Sequence, residues 1–455
     1  MPEKAEYESQ QPRELTPAQD FHGVEAFVTV PLPVIEGVKV KQTLFLVTSK
    51  RERVELTDEN VFEMGFYYQR QPALRRPRWS HQSIEAFLLD EGVNIQELYL
   101  SIVSIFREYI DFGDDHWYYF MACWVFGTYF HRLFEAFPYV HLNGTMESGK
   151  TKTLVLTAAL SFNGELSFNS TAAYMTRTIH NNHATCCIDE AERLRGSRDE
   201  DSQTLIGMYN SGYKKGQYSG KCEQVGKGKI WKTVQFEAYS PKMFASIKGL
   251  EGSLVSRCVP IIMTRSANPE IKNRELNLND PFLKETRDKL YIAMLKCSPA
   301  VKGVYEGITD DEILGREWEL WKPILTIATL IDPNLELRDS LRKFAIEVGK
   351  NKKETVLESL LTPKLLVVLE QLLEEEPTED GYYPAQEIIN YLSREDNENF
   401  GWLSNAKSPG RWIGDELRKS GLVNGKAIQK KIEGKNVKGY QLSLEKIKER
   451  LTAFK

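Results

Sequence analysis

Cysteine is scarce, with six in 455 residues: Cys123, Cys186, Cys187, Cys222, Cys258 and Cys297. They are scattered and lack the paired spacing of a metal site or a disulfide framework. A chain this long builds an apolar core without covalent staples. Each cysteine is therefore expected to be a small buried hydrophobe, in a reduced, cytoplasmic setting. Long apolar runs are also missing. None approaches the roughly 20 residues that span a bilayer, and no membrane partner is expected. The richest stretch, residues 117–137, is broken by His131, Arg132 and Glu135 and reads as a buried helix. Residues 1–20 contain Pro2, Pro12 and Pro17 but no apolar segment of a signal peptide. They read as a disordered tail. Internal repeats and low-complexity tracts are absent.

An excess of positive charge is absent overall, because the net charge is −5. Its distribution is uneven. Residues 207–248 hold eight lysines against two acids, and residues 404–455 hold thirteen Lys/Arg against five acids. Two basic patches on an acidic chain mark places where a polyanion could be touched. The alternative for each is a solvated charged surface. With 41% hydrophobic and 27% charged residues the composition is that of a globular protein of two or three domains.

Residues 26–30 and 43–48 are rich in Val, Thr, Phe and Leu and read as strands. Ser80 marks a helix start, and residues 95–110 carry helical periodicity. From residue 138 onward, short apolar β-prone runs (138–142, 184–188, 243–247, 258–263) alternate with helical segments. This pattern predicts an α/β fold with a central, mostly parallel sheet. Residues 282–297 and 310–331 read as helices. After residue 362 come helices at 364–374, 384–394 and 409–419, then a hairpin around Glu433 and Gly434. The expected division is a tail (1–20), N-terminal strands with a helical collar (21–135), an α/β core (136–335), a linker helix (336–361) and a C-terminal winged helix (362–455).

The most informative segment is Gly144, Thr145, Met146, Glu147, Ser148, Gly149, Lys150, Thr151, which fits G-x-x-x-x-G-K-[ST] at every defined position. Glycines let such a loop turn its backbone N–H groups toward phosphate oxygens. The lysine reaches the β- and γ-phosphates, and the Thr151 hydroxyl ligates Mg²⁺. The following helix directs its positive end at the same anion. Thr153, one step further along that helix, completes the nucleotide-contacting set. An apolar strand precedes the loop and a helix-forming segment follows it, as the motif requires. A second apolar strand, residues 184–188, ends in Asp189 and Glu190. Its distance from Thr151 leaves room for one crossover helix and another strand. Asp189 then serves the metal, and Glu190 polarises the attacking water. The alternative is a helix N-terminus with favourable acids.

Gly144 to Thr151, Ile188-Asp-Glu-Ala191, Ser240-Pro-Lys-Met-Phe-Ala-Ser-Ile247 and Leu254-Val-Ser-Arg257 together resemble the AAA+ P-loop ATPases. More narrowly, the chain is similar to a family of mobile-element proteins related to phage and plasmid replicative helicases. The stretch Tyr213-Lys-Lys-Gly216, the segment from Gly315 to Pro323, and Lys438-Gly-Tyr440 carry that likeness. It covers residues 137–445. The resemblance implies ATP and Mg²⁺ as cofactors, a homo-oligomeric and hexameric ring, and DNA as partner. It places Ser246 as a polar sensor of the γ-phosphate, where an Asn is commoner. It places Arg257 as a finger reaching the neighbouring subunit's nucleotide, and Arg316 as a candidate second sensor.

Between the Asp-Glu strand and Ser246, glycines and aromatics interleave with Lys214, Lys215, Lys227 and Lys229. Such a loop suits a grip on a phosphodiester backbone; the alternative is an exposed basic hairpin. In the C-terminal region, residues 409–419 are the expected recognition helix, exposing Arg411, Arg418 and Lys419. The following hairpin, with Lys430 and Lys431, is the expected wing. Two functions remain open: a ring-forming ATP-driven DNA motor (a replicative helicase or its loader), or an ATP-switched DNA-binding regulator or defence ATPase that never translocates. A primase-helicase needs a polymerising domain, and residues 1–135 show no paired-carboxylate motif for one.

Overall fold

Side-chain caps fix where the N-terminal helices begin. Ser80, Asn94 and Asp114 accept hydrogen bonds from backbone N–H groups in the first turns of the helices His81–Leu88, Ile95–Tyr109 and Asp115–Thr128. In the computed structural model the described residues are 11–452, apart from 71, 73–76, 198, 226–229, 251, 360, 424 and 433. The chain forms two compact units, 1–348 and 349–455. Among the described residues, no helix is long and apolar enough to cross a membrane.

The first unit is built around a five-stranded parallel sheet. Its order is Cys258–Met263, Tyr139–Gly144, Lys242–Ser246, Cys186–Ile188, Glu165–Ser167. The α/β class with a central parallel sheet expected from the sequence is as observed. Alternation along the strands gives the sheet two apolar faces. Val140, Leu142, Met243 and Ala245 join Leu154 and Leu156 of the helix Lys150–Leu160 in one cluster. Tyr139, Phe244 and Cys186 join Met175, Ile179 and Tyr209 in another.

The N-terminal region is continuous with this core. The helix Asp115–Thr128 is buried on nearly every side, and each large apolar side chain so buried contributes about 1.5–3 kcal/mol. It packs against Lys150–Leu160 and the sheet within one cluster, together with the helices Pro281–Gly307 and Gly315–Ile331. Trp124 Nε1 donates to the Pro138 carbonyl at 2.9 Å, fixing the entry to the central strand Tyr139–Gly144. A four-stranded antiparallel sheet (Gln19–His22, Glu25–Glu36, Lys39–Thr48, Arg53–Glu55) adds to this unit.

Three expected boundaries are corrected. Residues 11–20, expected within a disordered tail, form the strands Arg13–Glu14 and Gln19–His22. Leu15 and Ala18 are buried, and Gln19 Nε2 donates to the Tyr129 carbonyl at 2.6 Å. Proline-rich composition hid two apolar anchors there. The collar 21–135 and the core 136–335 belong to one unit, because their apolar surfaces merge. The expected linker helix is present as Glu336–Ser359 and crosses the unit boundary; only the end of the core moves from 335, since Leu341, Phe344, Ala345 and Val348 lie in the first unit's core.

In the second unit, helices Leu361–Glu375, Ala385–Glu395 and Pro409–Lys419 close over an antiparallel three-stranded sheet. The order of that sheet is Tyr382–Pro384, Lys435–Gln441, Ile428–Ile432. Leu365, Leu369, Ile388, Leu392, Ile413 and Leu417 form its core.

Candidate nucleotide site

The central strand Tyr139–Gly144 delivers the glycine-rich loop to the carboxyl edge of the sheet, and the helix Lys150–Leu160 leads away from it. Gly144 is required by close packing, since a Cβ there would meet the Met263 carbonyl oxygen at 2.2 Å. Gly149 is required by its backbone, with φ of 87° in the left-handed region. Between them the Ser148 hydroxyl donates to the Thr145 carbonyl at 2.9 Å. Lys150 folds back into the loop, its ammonium donating to the carbonyls of Thr145 (2.6 Å) and Gly144 (2.9 Å). Burial pulls this ammonium below the usual lysine range, while Asp189 and Glu192 oppose the shift.

Asp189 follows the strand Cys186–Ile188 and reaches the same place. Thr151 Oγ1 donates to Asp189 Oδ2 at 2.7 Å. The loop hydroxyl and the strand-tip carboxylate, the two groups expected around a magnesium ion, thus share one locus. An alcohol oxygen and a carboxylate are the hard oxygen donors that Mg²⁺ takes, alongside water and phosphate, so the residues present fit the metal. A cavity of about 320 Å³ opens beside the loop, lined by residues 147–152.

Sequence reasoning missed the far wall of that cavity. Tyr109, Ile110 and Asp111 close it from the N-terminal region, and Arg265 and Ser266 from the segment after the strand Cys258–Met263. Ser266 donates to Asp111 at 2.6 Å, and Arg265 Nε donates to the Met146 carbonyl at 3.1 Å. Arg265 was findable, because it lies two residues past the end of the apolar strand Cys258–Met263. Tyr109 to Asp111 carry no local motif and arrive only through tertiary packing.

Three expected contacts differ from the sequence reading. The Thr153 hydroxyl donates to the Gly149 carbonyl (3.0 Å) within its own helix, and Thr153 is buried outside the cavity. Ser246 is buried, its hydroxyl 2.8 Å from His141 Nε2; burial holds His141 at about 4, so it is neutral at physiological pH. The strand end expected to carry a sensor of phosphate is therefore occupied with this internal pair. Glu190 follows Asp189 in the left-handed backbone region and forms an ion pair with Arg193. Its carboxylate lines an open cavity with Lys248, distinct from the one beside the loop.

Arg257 lies at the opposite edge of the sheet. Cys258 pairs with Tyr139 and Met263 with Gly144. At about 3.3 Å per residue, Arg257 stands more than a full strand length, about 20 Å, from the glycine-rich loop of its own chain. Its Nε donates to the Asn210 carbonyl at 2.6 Å and its guanidinium lies 5.1 Å from the Tyr213 ring centroid. Arg316 lies over the same ring at 4.6 Å, so it does not reach this chain's loop either.

The basic hairpin exists, formed by Tyr218–Val225 and Ile230–Glu237 in antiparallel register. Lys227 and Lys229 lie outside the described residues. Lys214 and Lys215 correct the sequence reading: they sit below the hairpin, tied to the body. Lys214 pairs with Glu319 at 2.6 Å and bridges to Ala136; Lys215 Nζ donates to the Arg132 carbonyl at 2.9 Å. Cys222, on the hairpin, is exposed, unlike the buried Cys123, Cys186, Cys187 and Cys258. In the C-terminal unit Arg411, Arg418, Lys419, Lys430 and Lys431 are all exposed. Arg418, Lys419 and Lys430 also pair with Asp415, Glu416 and Asp380.

No family model and no curated protein matches the chain. Among solved structures it is similar to the apo C-terminal region of NrS-1, with 10% identity and a TM-score of 0.37, covering 92% of this chain and 97% of that one. It is similar to the active helicase Cch of SCCmec type IV, with 11% identity and a TM-score of 0.38, covering 95% and 98%. It is also similar to Cdc6p from Pyrobaculum aerophilum, with 10% identity and a TM-score of 0.17, covering 72% and 90%. At these scores the functional reading rests on the geometry of this chain alone.

Proposed function

We propose that the chain is an ATP-hydrolysing AAA+ motor that acts on DNA as a homo-oligomeric, hexameric ring, a replicative helicase or helicase loader of a mobile element. The observation that carries this reading is the 2.7 Å contact between Thr151 and Asp189 at the mouth of a glycine-rich loop holding a buried lysine. Bound Mg²⁺ would neutralise charge on the β- and γ-phosphates. Lys150 exchanges its carbonyl partners for phosphate oxygens. Backbone N–H groups of the loop and of the first turn of Lys150–Leu160 orient the triphosphate. Glu190 accepts the proton of the attacking water once it leaves Arg193, an exposed pair of the kind worth at most about 1 kcal/mol. Arg257, too far from its own loop, is positioned for a neighbouring copy's triphosphate. The order helix, strand, helix, helix, hairpin in the second unit supports a winged helix, with Arg411, Arg418, Lys419, Lys430 and Lys431 as its exposed cations.

Glu190→Gln tests the base assignment. Nucleotide affinity is expected to stay at the wild-type level, while turnover falls by a factor of about 10² to 10⁴, the usual contribution of a general base. Single-turnover hydrolysis with labelled ATP measures this. Unchanged turnover would remove Glu190 from the mechanism.

The anchoring of Lys214 and Lys215 favours keeping a second reading, an ATP-switched DNA-binding regulator without translocation. Strand displacement by the wild-type chain on a forked duplex separates the two: a motor unwinds with ATP, and a switch never does.

A further inference from the structure

Lys242 opens the strand Lys242–Ser246 and is completely buried. Its ammonium has no carboxylate among its hydrogen-bond partners. It donates to the carbonyls of Ala238 (3.0 Å), Ser240 (3.1 Å) and Gly212 (3.4 Å) and to Ser240 Oγ (3.1 Å), and it lies 5.0 Å from the Tyr139 ring centroid. A buried charge is costly, and burial pulls this amine down to about 7; a methionine would fill the same space without that cost. What the ammonium adds is a connection. Gly212 and Ala238–Ser240 are the two points where the chain leaves for the hairpin and returns from it. They are themselves joined by the Ser240 N–H to the Gly212 carbonyl at 3.2 Å. Gly212 permits the approach, because a Cβ there would lie 2.2 Å from the Ala238 oxygen and 2.9 Å from Lys242 Nζ.

The strand that Lys242 opens runs between the two halves of the nucleotide site. On one side it pairs with Tyr139–Gly144, Ser246 standing opposite Asn143; on the other it pairs with Cys186–Ile188, Phe244 standing opposite Ile188. Its far end is fixed by the Ser246–His141 contact, one residue position from Gly144 and from the approach to Asp189. Rigid secondary elements are one of the means by which two sites are coupled, and this strand is paired on both sides. We propose that Lys242 is a positioning residue that couples the nucleotide site to the hairpin, its ammonium clamping both hairpin roots to the strand that lies between the phosphate loop and Asp189. This rests on the reading of the site as an ATP site.

The test is hydrogen exchange of the hairpin amides 218–225, with and without the Mg²⁺ complex of adenylyl imidodiphosphate. In the wild-type chain the analogue is expected to change their exchange about fivefold or more, the low end of typical coupling between sites. In Lys242→Met the response falls to a ratio of one, while affinity for the analogue stays at the wild-type level. Gly212→Ala, which forces a methyl group into the same clamp, is the second variant and decides the matter if Lys242→Met does not fold; it too should lose the response. A folded variant of either kind that keeps the wild-type response overturns the proposal. So does a wild-type chain that binds the analogue without any response in the hairpin, an outcome that leaves the ATP site standing. Failure of the wild-type chain to bind the analogue overturns both readings.

Discussion

Lys150→Ala is expected to weaken ATP binding by at least about a hundredfold and to abolish measurable hydrolysis. The lysine supplies a buried cation held inside the loop by the Thr145 and Gly144 carbonyls. Hydrogen bonds from a charged group contribute about 1.5–3 kcal/mol each. Two lost phosphate contacts therefore amount to about 3–6 kcal/mol, or two or more powers of ten in affinity. Titration with a fluorescent ATP analogue measures the loss, and a thermal melt without nucleotide shows whether the loop's host fold survives. Wild-type hydrolysis by Lys150→Ala would remove the glycine-rich loop from the active site.

Arg257→Ala is expected to lower turnover of the assembled protein by about a thousandfold or more, the range for an arginine supplied by a neighbour. Nucleotide affinity of the isolated chain should not change. The separation of about 20 Å along the sheet keeps Arg257 from its own site. Its contacts with Asn210 and Tyr213 hold it at the sheet edge opposite the phosphate loop. The sharper test is mixing. A Lys150→Ala chain still offers an intact Arg257, and an Arg257→Ala chain still offers an intact phosphate loop. Mixed assemblies should regain activity that neither variant has alone. If Arg257→Ala abolishes nucleotide binding by the monomer, or if mixing restores nothing, the residue serves the fold and not a neighbour's chemistry.

The parts of this molecule that local chemistry dictates were legible. The strands at 258–263 and the helix at 409–419 fall where apolar spacing and Pro409 place them. The glycine-rich turn from strand to helix was legible because Gly144 and Gly149 meet fixed backbone demands at a fixed spacing. What misled was tertiary. The prolines of residues 1–20 suggested a disordered tail, yet Leu15 and Ala18 are buried, Leu15 in one cluster with Phe27, Leu46 and Phe66. Lys214 and Lys215 looked like a free basic loop, because nothing nearby in sequence announces Glu319 or the Arg132 carbonyl. Ser246 was read by position at a strand end, whereas its partner His141 sits on the neighbouring strand. The wall from Tyr109 to Asp111 depends on merging two apolar surfaces that composition alone separates into domains.

The most direct measurement is the anomalous signal of Mn²⁺ in crystals grown with adenylyl imidodiphosphate. The metal should lie about 2.1–2.2 Å from Thr151 Oγ1, slightly beyond the magnesium distance, with Asp189 in direct or one-water contact and the γ-phosphate beside Lys150. A metal and triphosphate bound elsewhere on the chain, with Thr151 still hydrogen-bonded to Asp189, would contradict the account at its root.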